Sequence, residues 1–330
     1  MTNDEKKMSF SERNRKSGGY LLRKKIGEIL FRIFRAILLF GLCFLILQPL
    51  LHKISLAFMA EDDLYDSTVI NIPRNFSIQA IKTAWKYMTK DSFITSTYIG
   101  ILVGIVQVLA CTLVGYGFAR FEFPLKNFWF ACVFLVILIP PQTISSSLHL
   151  HFRFFDILGI FKLITGETLN LRGSKIPYYL MSACCMGLKN GLYIFMIRQF
   201  FRNIPGDLEE AAYVDGCGML KTFFSIMLPE AKPIITSCFL FSFVWQWTDG
   251  FYSKMFLGGT QLVSTSLSRI VDSLGAYIQR ISGIKTTVSI AYSNCILATG
   301  TLMIIMPLII LYLFAQRAFV ESISSSGIKM

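Results

Sequence analysis

Windows of about twenty mostly apolar residues recur along this chain, and they constrain its fold more than any other feature. A helix needs roughly that many apolar residues to cross the hydrocarbon core of a bilayer. Hydrophobic residues make up 54% of the 330 positions and charged residues only 16%, whereas about 25% of a soluble domain is charged. The apolar windows do not alternate as the strands of a membrane barrel do. The sequence therefore predicts an all-α, polytopic membrane protein.

The apolar segments predict about six transmembrane helices. They run over Ile33 to Phe58, Phe93 to Phe118, Phe128 to Ile144, Tyr178 to Phe200, Pro233 to Phe256 and Val288 to Ala315. The second contains Gly100 and Gly104, a spacing that lets another helix approach closely. Pro140 and Pro141 lie near the end of the third, where we expect them to break or kink the helix.

Polar segments divide the chain between these spans. Residues 1–32 form a basic tail, 33–58 the first transmembrane helix, 59–92 an extracytoplasmic segment, 93–318 a core transmembrane domain, and 319–330 a second tail. Within the extracytoplasmic segment, Ile78, Ile81, Trp85 and Met88 recur at helical spacing, which predicts an amphipathic helix. The segment 145–176 is too polar to cross a membrane.

Basic residues concentrate at or just ahead of the first apolar run, in a chain whose net charge is +12. Such an excess marks a cytoplasmic flank. A solvated tail beside anionic lipid explains it better than a nucleic-acid partner does. Arg198 and Arg202 likewise place the end of the fourth span inside, so counting spans puts both termini in the cytoplasm. The first run is too long for the core of a secretory signal, and Phe58 spoils the cleavage pattern.

No residue pattern indicates a metal site, redox chemistry or a bound nucleotide. Most of the eight cysteines lie within or beside apolar runs, where cysteine is a small apolar residue, and no CxxC pair occurs. His149 and His151 form an isolated HxH without a third ligand nearby in sequence. The stretch from Gly283 to Thr286 is a poor match to a phosphate-binding loop. We therefore expect the chain itself to bind no cofactor.

A carboxylate-rich loop separates the fourth and fifth spans. Asp207, Glu209, Glu210 and Asp215 cannot lie in hydrocarbon, because an acidic side chain at the bilayer centre costs about 2.5–3.5 kcal/mol or more. Asp207, followed by Glu210 three residues later, predicts a capping box at the start of a short helix. The loop therefore faces water, and the preceding arginines place it on the cytoplasmic side.

The end of the first loop helix and a second loop helix are also predicted. Gly216 and Gly218 supply the left-handed conformation that ends the first helix. An apolar face on a second short helix includes Phe223, and Leu228-Pro229 is expected to end that helix just before the fifth span. The segment 205–230 is thus a predicted helix-turn-helix below the membrane.

The string from Glu210 to Gly216, with the downstream Leu228-Pro229, resembles the EAA loop of the membrane permeases of bacterial ABC importers. Its spacing is similar to the carbohydrate branch, which includes the maltose-type permeases. The resemblance continues at Tyr116 to Arg120, at Ile204-Pro205, in the tryptophan-containing stretch of the fifth span and at the terminal Gly327-Ile328-Lys329. It covers nearly the whole chain.

The resemblance implies a set of residues that couple the permease to a cytoplasmic ATPase. They are Glu209, Glu210, Ala211, Ala212, Asp215, Gly216, Ile226, Leu228 and Pro229. In such a permease Glu210 would pair with a basic or polar group of the ATPase, Gly216 would allow the turn, and Leu228-Pro229 would join the loop rigidly to the fifth span. Cys217 stands where alanine is usual, which is a minor change of size.

The resemblance also implies an assembly in a bacterial cytoplasmic membrane. The chain would form half of a translocation pathway for a carbohydrate, and a second permease subunit would form the other half. An ATPase dimer would use ATP and Mg²⁺, and an external solute-binding protein would deliver the solute. The fifth span reads Trp245-Gln246-Trp247-Thr248-Asp249 where the family usually has Trp-Asn, so the chemistry that faces the solute can differ.

Polar and aromatic residues in the last three spans are candidates for the solute path. They are Lys189, Asn190, Trp245, Gln246, Trp247, Asp249 and Asn294. An ionisable group within a membrane span indicates function, although Lys189 is long enough to snorkel to an interface. Tryptophans also form interfacial belts, so the two interpretations of the fifth span stay open.

Two other classes of function are possible for a polytopic membrane protein. A secondary transporter or channel without ATPase coupling is the main alternative, but a transporter would need a relay of titratable groups, and apart from Asp249 the spans hold almost no carboxylates. A membrane enzyme would need a catalytic constellation, and neither HExxH nor GxSxG occurs. The importer subunit is the better prediction.

Overall fold

The computed structural model describes residues 14–15, 18–257, 259–282 and 288–327. Apart from two isolated β-bridges, the regular elements in those ranges are helices. The predicted all-α class is therefore confirmed. The weak phosphate-loop candidate at 283–286 and the terminal Ile328 and Lys329 lie outside the described residues.

The described chain up to Ile78 forms one compact unit, and the rest forms a second. Helix α1, Tyr20–Phe58, supplies most of the first unit and begins well before the Ile33 that hydropathy predicts. It runs through basic residues because lysine and arginine are good helix formers. Beyond it, the carboxylate of Asp63 accepts hydrogen bonds from the backbone amide of Asn75 at 2.8 Å and from its side-chain amide at 3.0 Å.

The second unit is a succession of helices of very different lengths. They are α2 (Gln79–Met88), α3 (Lys90–Arg120), α4 (Lys126–Leu138), α5 (Ser145–Arg153), α6 (Ile160–Thr165), α7 (Ile176–Ala183), α8 (Asn190–Asn203), α9 (Asp207–Val214), α10 (Met219–Thr222), a π-turn (Phe223–Met227), α11 (Leu228–Glu230), α12 (Lys232–Thr248), α13 (Phe251–Phe256), α14 (Val263–Ser282) and α15 (Ile290–Gly327). By length and composition, α1, α3 and the Ile290–Gln316 part of α15 can each cross a membrane. Met219–Glu230 and α12, joined by a bend of 73°, are a fourth candidate.

Helix α3 lies at the centre of the second unit, with α8 and α12 packed against it. A Cβ added at Gly100 would meet the ring of Phe243 on α12 at 3.1 Å, and one added at Gly104 would meet the ring of Phe239 at 3.1 Å. The predicted close approach at this glycine pair is confirmed. The order of the two contacts shows that α3 and α12 run antiparallel.

The predicted third, fourth and fifth spans are shorter or interrupted. Helix α4 ends at Leu138, just ahead of Pro140, because proline disfavours helical geometry in the residue before it. The fourth span consists of α7 and α8 with an irregular turn between them, which corrects the expectation of one helix from Tyr178 to Phe200. The fifth span ends at Thr248 and is followed by the separate helix α13.

The amphipathic helix predicted outside the membrane is present as α2, but only part of its predicted apolar face is buried. Ala80, Ala84 and Met88 are buried, whereas Ile78 and Trp85 are about half exposed. Helix α2 packs against α14 and α15, and its alanines allow a closer approach than large side chains would. Helix α14 itself was not predicted, because its apolar residues are interspersed with serines and three charged residues and form no continuous apolar run.

Candidate functional site

The carboxylate-rich loop begins with helix α9, which follows Pro205. Its first turn holds Asp207, Glu209 and Glu210, as the sequence predicts. The predicted capping box does not form, because Gly206 occupies the N-cap position and no side chain caps the helix. The acidic residues instead stabilise this helix end through its dipole, an effect of about 0.3–1 kcal/mol at exposed sites.

A Schellman motif ends α9. The amide of Gly216 donates to the carbonyl of Tyr213 at 3.0 Å, and the amide of Cys217 donates to the carbonyl of Ala212 at 2.9 Å. Gly216 has a φ of 79°, which is in the left-handed region that favours glycine. Gly218 differs from the prediction: its φ of −75° and ψ of 164° are extended, and it precedes α10.

The second helical part of the loop extends farther than the sequence predicts. Helix α10, the π-turn and α11 follow one another without a break from Met219 to Glu230. Leu228 and Pro229 therefore begin α11 instead of ending the helix, and proline is tolerated in a first helical turn. The chain then bends by 73° into α12. This places the loop directly before the fifth span.

Aromatic and apolar side chains anchor the loop in the core of the second unit. Phe223 and Met227, both in the π-turn, are buried. The ring centroid of Tyr116, near the end of α3, lies 4.7 Å from that of Phe223 and 5.1 Å from that of Phe201 on α8. Three helices and the loop therefore share one packed cluster around Tyr116.

Glu209 faces this core and not the solvent. Its Oε1 accepts a hydrogen bond of 2.8 Å from the Tyr116 hydroxyl. Its Oε2 lies 3.2 Å from Nε of Arg120, an ion pair without an aligned hydrogen bond. Nη2 of Arg120 also donates to the carbonyl of Ile204 at 2.8 Å. We call Glu209, Tyr116 and Arg120 the Glu209 clasp, because they fix α9 to the end of α3.

The other residues predicted for coupling divide by exposure. Glu210, Ala211, Asp215, Gly216 and Pro229 are exposed, Ile226 and Leu228 are partly buried, and Ala212 is buried with Glu209. The loop also exposes large apolar residues that the sequence analysis did not assign to coupling, and the three most exposed are Val214 at 87%, Leu220 at 72% and Phe224 at 58%. The sequence could have indicated them, because they are large apolar side chains in a segment that cannot enter the bilayer. We call Glu210, Asp215, Val214, Leu220 and Phe224 the exposed loop surface.

Two candidates for the solute path, Lys189 and Asn190, lie where the turn between α7 and α8 meets α8. Lys189 has a φ of 62°, in the left-handed region, and directly precedes α8. Its side chain is exposed, and Nζ lies 4.8 Å from the ring centroid of Trp245 on α12. A cavity of about 190 Å³ reaches Lys189 and is also lined by Ile137, Leu192 and Tyr252.

Asn190 is fully buried, although it follows Lys189 directly. Its Oδ1 accepts a hydrogen bond from the side chain of Gln107, whose own oxygen accepts one from the Ser242 hydroxyl. Its Nδ2 donates to the carbonyl of Ser182 at 3.4 Å. Its amide therefore helps to hold α3, α7, α8 and α12 together, and its contact with the solute stays a prediction.

Asp249 is also buried, and it caps α13. Its Oδ1 accepts from the backbone amides of Phe251 at 3.1 Å and Tyr252 at 3.3 Å, and its Oδ2 accepts from the amide of Ser253 at 2.9 Å. The hydroxyl of Tyr178 on α7 donates to the same Oδ2. Local donors therefore saturate this carboxylate, and its contact with the solute stays a prediction.

The remaining path candidates differ in accessibility. Trp245 is 44% exposed, and Asn294 on α15 is exposed. Trp247 is only 3% exposed, and its Nε1 donates to the carbonyl of Ile304 at 3.1 Å; its assignment to the path stays a prediction. Gln246 is 8% exposed, and its Oε1 has no hydrogen-bond partner among the described residues.

The described residues contain no group of three His, Cys, Asp or Glu side chains that could hold a metal ion. His149 and His151 both lie on α5. Residues two apart on a helix do not face each other, so the HxH pair cannot chelate one ion.

Comparison with known proteins gives one family. The family model described as "Binding-protein-dependent transport system inner membrane component" matches residues 107–325. The chain is 26% identical over 306 residues to the "Probable ABC transporter permease protein YurM" of Bacillus subtilis, which covers 92% of this chain and 89% of that relative.

Two further relatives carry the names of solutes. The melibiose/raffinose/stachyose import permease protein MelC of Bacillus subtilis is 26% identical over 258 residues, covering 78% of this chain and 83% of MelC. The arabinooligosaccharides transport system permease protein AraQ of Halalkalibacterium halodurans is 24% identical over 297 residues, covering 87% of this chain and 93% of AraQ.

A solved structure shares the fold. It is a crystal structure of a bacterial ABC transporter involved in the import of the acidic polysaccharide alginate, and the match has a TM-score of 0.63 at 17% identity. It covers 88% of this chain and 97% of the other.

Proposed function

The chain belongs to the family of inner membrane components of binding-protein-dependent transport systems, and we propose that this permease subunit of an ABC importer takes up a carbohydrate. The names of MelC and AraQ, which refer to sugars, support this solute class. The accessible indole of Trp245 supports it further, since an aromatic ring offers an apolar face to the C–H groups of a sugar. A secondary transporter or channel is the alternative, and no contact in the described residues favours it.

The other components of the importer are part of the same proposal. This chain forms half of the pathway, and a second permease subunit completes it. A cytoplasmic ATPase dimer binds and hydrolyses ATP with Mg²⁺, while an external solute-binding protein delivers the solute. Both termini lie in the cytoplasm. Arg198 and Arg202, at the end of α8 that leads into the loop, support this orientation by the positive-inside rule.

The exposed loop surface carries the coupling proposal. Val214, Leu220 and Phe224 expose large apolar area on a segment that its carboxylates keep in water. Exposed apolar area next to charged residues is typical of a site for another protein. We infer that the ATPase covers this surface and that Glu210 pairs with a basic or polar group of the ATPase.

Two attachments let the loop pass a displacement to the spans. The Glu209 clasp ties α9 to the end of α3 through contacts of 2.8 and 3.2 Å. The buried Phe223 and Met227 seat the π-turn in the core, and α11 leads into α12 across a single residue, Ala231. A movement of the ATPase surface against the loop would therefore shift α3 and α12 together.

Co-purification tests the docking proposal. The double variant Val214→Asp/Leu220→Asp adds two charges to the exposed loop surface without touching a buried residue. We expect the ATPase to be lost when this variant is purified by a tag on the permease, because the apolar contact becomes charged. Leu163→Asp is the matched control, since Leu163 on α6 is 87% exposed and lies outside the loop. Equal ATPase recovery from both variants would refute docking at this surface.

A further inference from the structure

Lys189 and Trp245 lie at the same depth of the second unit, far from its charged ends. Helix α8 carries Arg202 at its other end, and α12 begins at Lys232. At about 1.5 Å per residue, Lys189 is roughly 20 Å from Arg202, and Trp245 is roughly 20 Å from Lys232 along its helix. The hydrocarbon core is about 30 Å thick, so both residues fall within it if those cations mark the cytoplasmic boundary.

The positive charge of Lys189 has no anionic partner in the described part of the chain. The ion pairs found there involve other residues, and the contact of Lys189 is with the ring of Trp245 at 4.8 Å. A cation–π contact offsets only part of the cost of a charge at membrane depth. The side chain turns toward α12 at its own level, which differs from the snorkelling geometry that would carry the ammonium to an interface.

The surrounding backbone adds to this positive potential. Lys189 directly precedes the fourteen residues of α8, whose first turn holds no acidic side chain. The N-terminal end of a helix carries a partial positive charge. In transporters, interrupted transmembrane helices direct such ends at the anionic groups of their substrates. The interruption between α7 and α8 places the N-terminal end of α8 directly beside Lys189.

The groups around Lys189 are suited to bind a sugar ring as well as a charged group. The cavity of about 190 Å³ that Lys189 lines is bounded mainly by apolar side chains. Trp245 offers an accessible aromatic ring.

We propose that the solute of this importer is an anionic saccharide, with its carboxylate paired to Lys189 and a sugar ring against the exposed part of Trp245. The proposal rests on the proposed function, which it narrows from carbohydrates in general to uronate-type sugars. The carboxylate supplies the counter-charge that the described residues do not provide.

The test uses the complete importer with its binding protein in proteoliposomes. The probe is a mixture of short oligosaccharides from polygalacturonate, glucuronoxylan and polymannuronate, compared with the same mixture after chemical reduction of its carboxyl groups to alcohols. We expect the acidic mixture to stimulate ATP hydrolysis about tenfold more than the reduced mixture, as one charge-assisted hydrogen bond allows. Lys189→Met should bring this ratio close to one, while Lys189→Arg should keep most of it.

Lys162→Met is the matched control, because Lys162 is an exposed lysine on α6 away from the turn. It should keep the wild-type ratio. The proposal is overturned if the acidic mixture gives no stimulation, or if the preference survives in Lys189→Met, which would assign it to the binding protein. Equal stimulation by the two mixtures would also overturn it, yet would leave carbohydrate import intact. Loss of ATPase co-purification, in contrast, bears on the proposed function and not on solute charge.

Discussion

The loop between α8 and α12 and the turn between α7 and α8 both interrupt helices with glycine, but for opposite reasons. Around Gly216 and Gly218 of the loop, no atom lies within 4 Å of where a Cβ would be. At the turn, a Cβ on Gly191 would meet the carbonyl oxygen of Val133 and a side-chain carbon of Ile137, each at 2.8 Å. Gly216 therefore provides a left-handed backbone conformation in the loop, whereas Gly191 allows close packing beside the turn. An open loop can receive a partner, whereas the turn is built into the core.

The largest effect should come from placing the same bulky residue in each region. Gly191→Leu forces a side chain against the backbone of α4, so we expect the folded state to lose about 3 kcal/mol or more. Gly218→Leu is the matched control, since Gly218 has a negative φ and open space around it. Thermal unfolding of the two purified variants in detergent measures the difference. Equal midpoints would contradict the contrast between packed turn and open loop.

A smaller effect separates the buried and exposed carboxylates of the loop. Glu209→Gln removes the charge opposite Arg120, whose side chain is only 16% exposed, and should cost about 1–3 kcal/mol of stability. Glu210→Gln should leave the unfolding midpoint near that of the wild type, because Glu210 is exposed. In co-purification the order should reverse, with Glu210→Gln losing more ATPase. A common loss of stability in both variants would mean that the clasp does not distinguish them.

The smallest effect tests backbone strain in the loop alone. Gly216→Ala places a Cβ on a residue with a φ of 79° and should cost about 1–2 kcal/mol. Gly218→Ala should change stability by less than about 0.5 kcal/mol, as is usual for surface substitutions. Chemical unfolding in a mild detergent can resolve the two. A Gly216→Ala variant as stable as Gly218→Ala would mean that the Schellman turn relaxes freely.

The same contrast explains how much of the molecule could be predicted from its sequence. Carboxylates in an apolar chain reveal the loop at once, because Asp207 and Glu210 cannot enter hydrocarbon. The turn between α7 and α8 sits in an apolar run and carries no proline, so hydropathy predicts one helix there. Only tertiary packing shows that Gly191 must be small.

The direction in which each side chain points could not be predicted from the sequence either. The acidic first turn of α9 was predictable, but a pattern of adjacent carboxylates does not show that Glu209 turns inward to Tyr116 while Glu210 stays exposed. Polar residues in the last spans raised the same difficulty. Asn190 and Asp249 are polar because they satisfy buried backbone and side-chain groups, and composition does not separate that role from contact with a solute.

ATP hydrolysis and uptake, measured together in the same proteoliposomes, test most directly the claim that the loop couples this permease to its ATPase. The comparison is between the wild-type importer and Glu210→Ala/Gly216→Pro, since proline cannot adopt the φ of 79° at that position. The account predicts that the variant loses both solute-stimulated hydrolysis and uptake while inserting in normal amounts. Wild-type rates of both in the variant would contradict it.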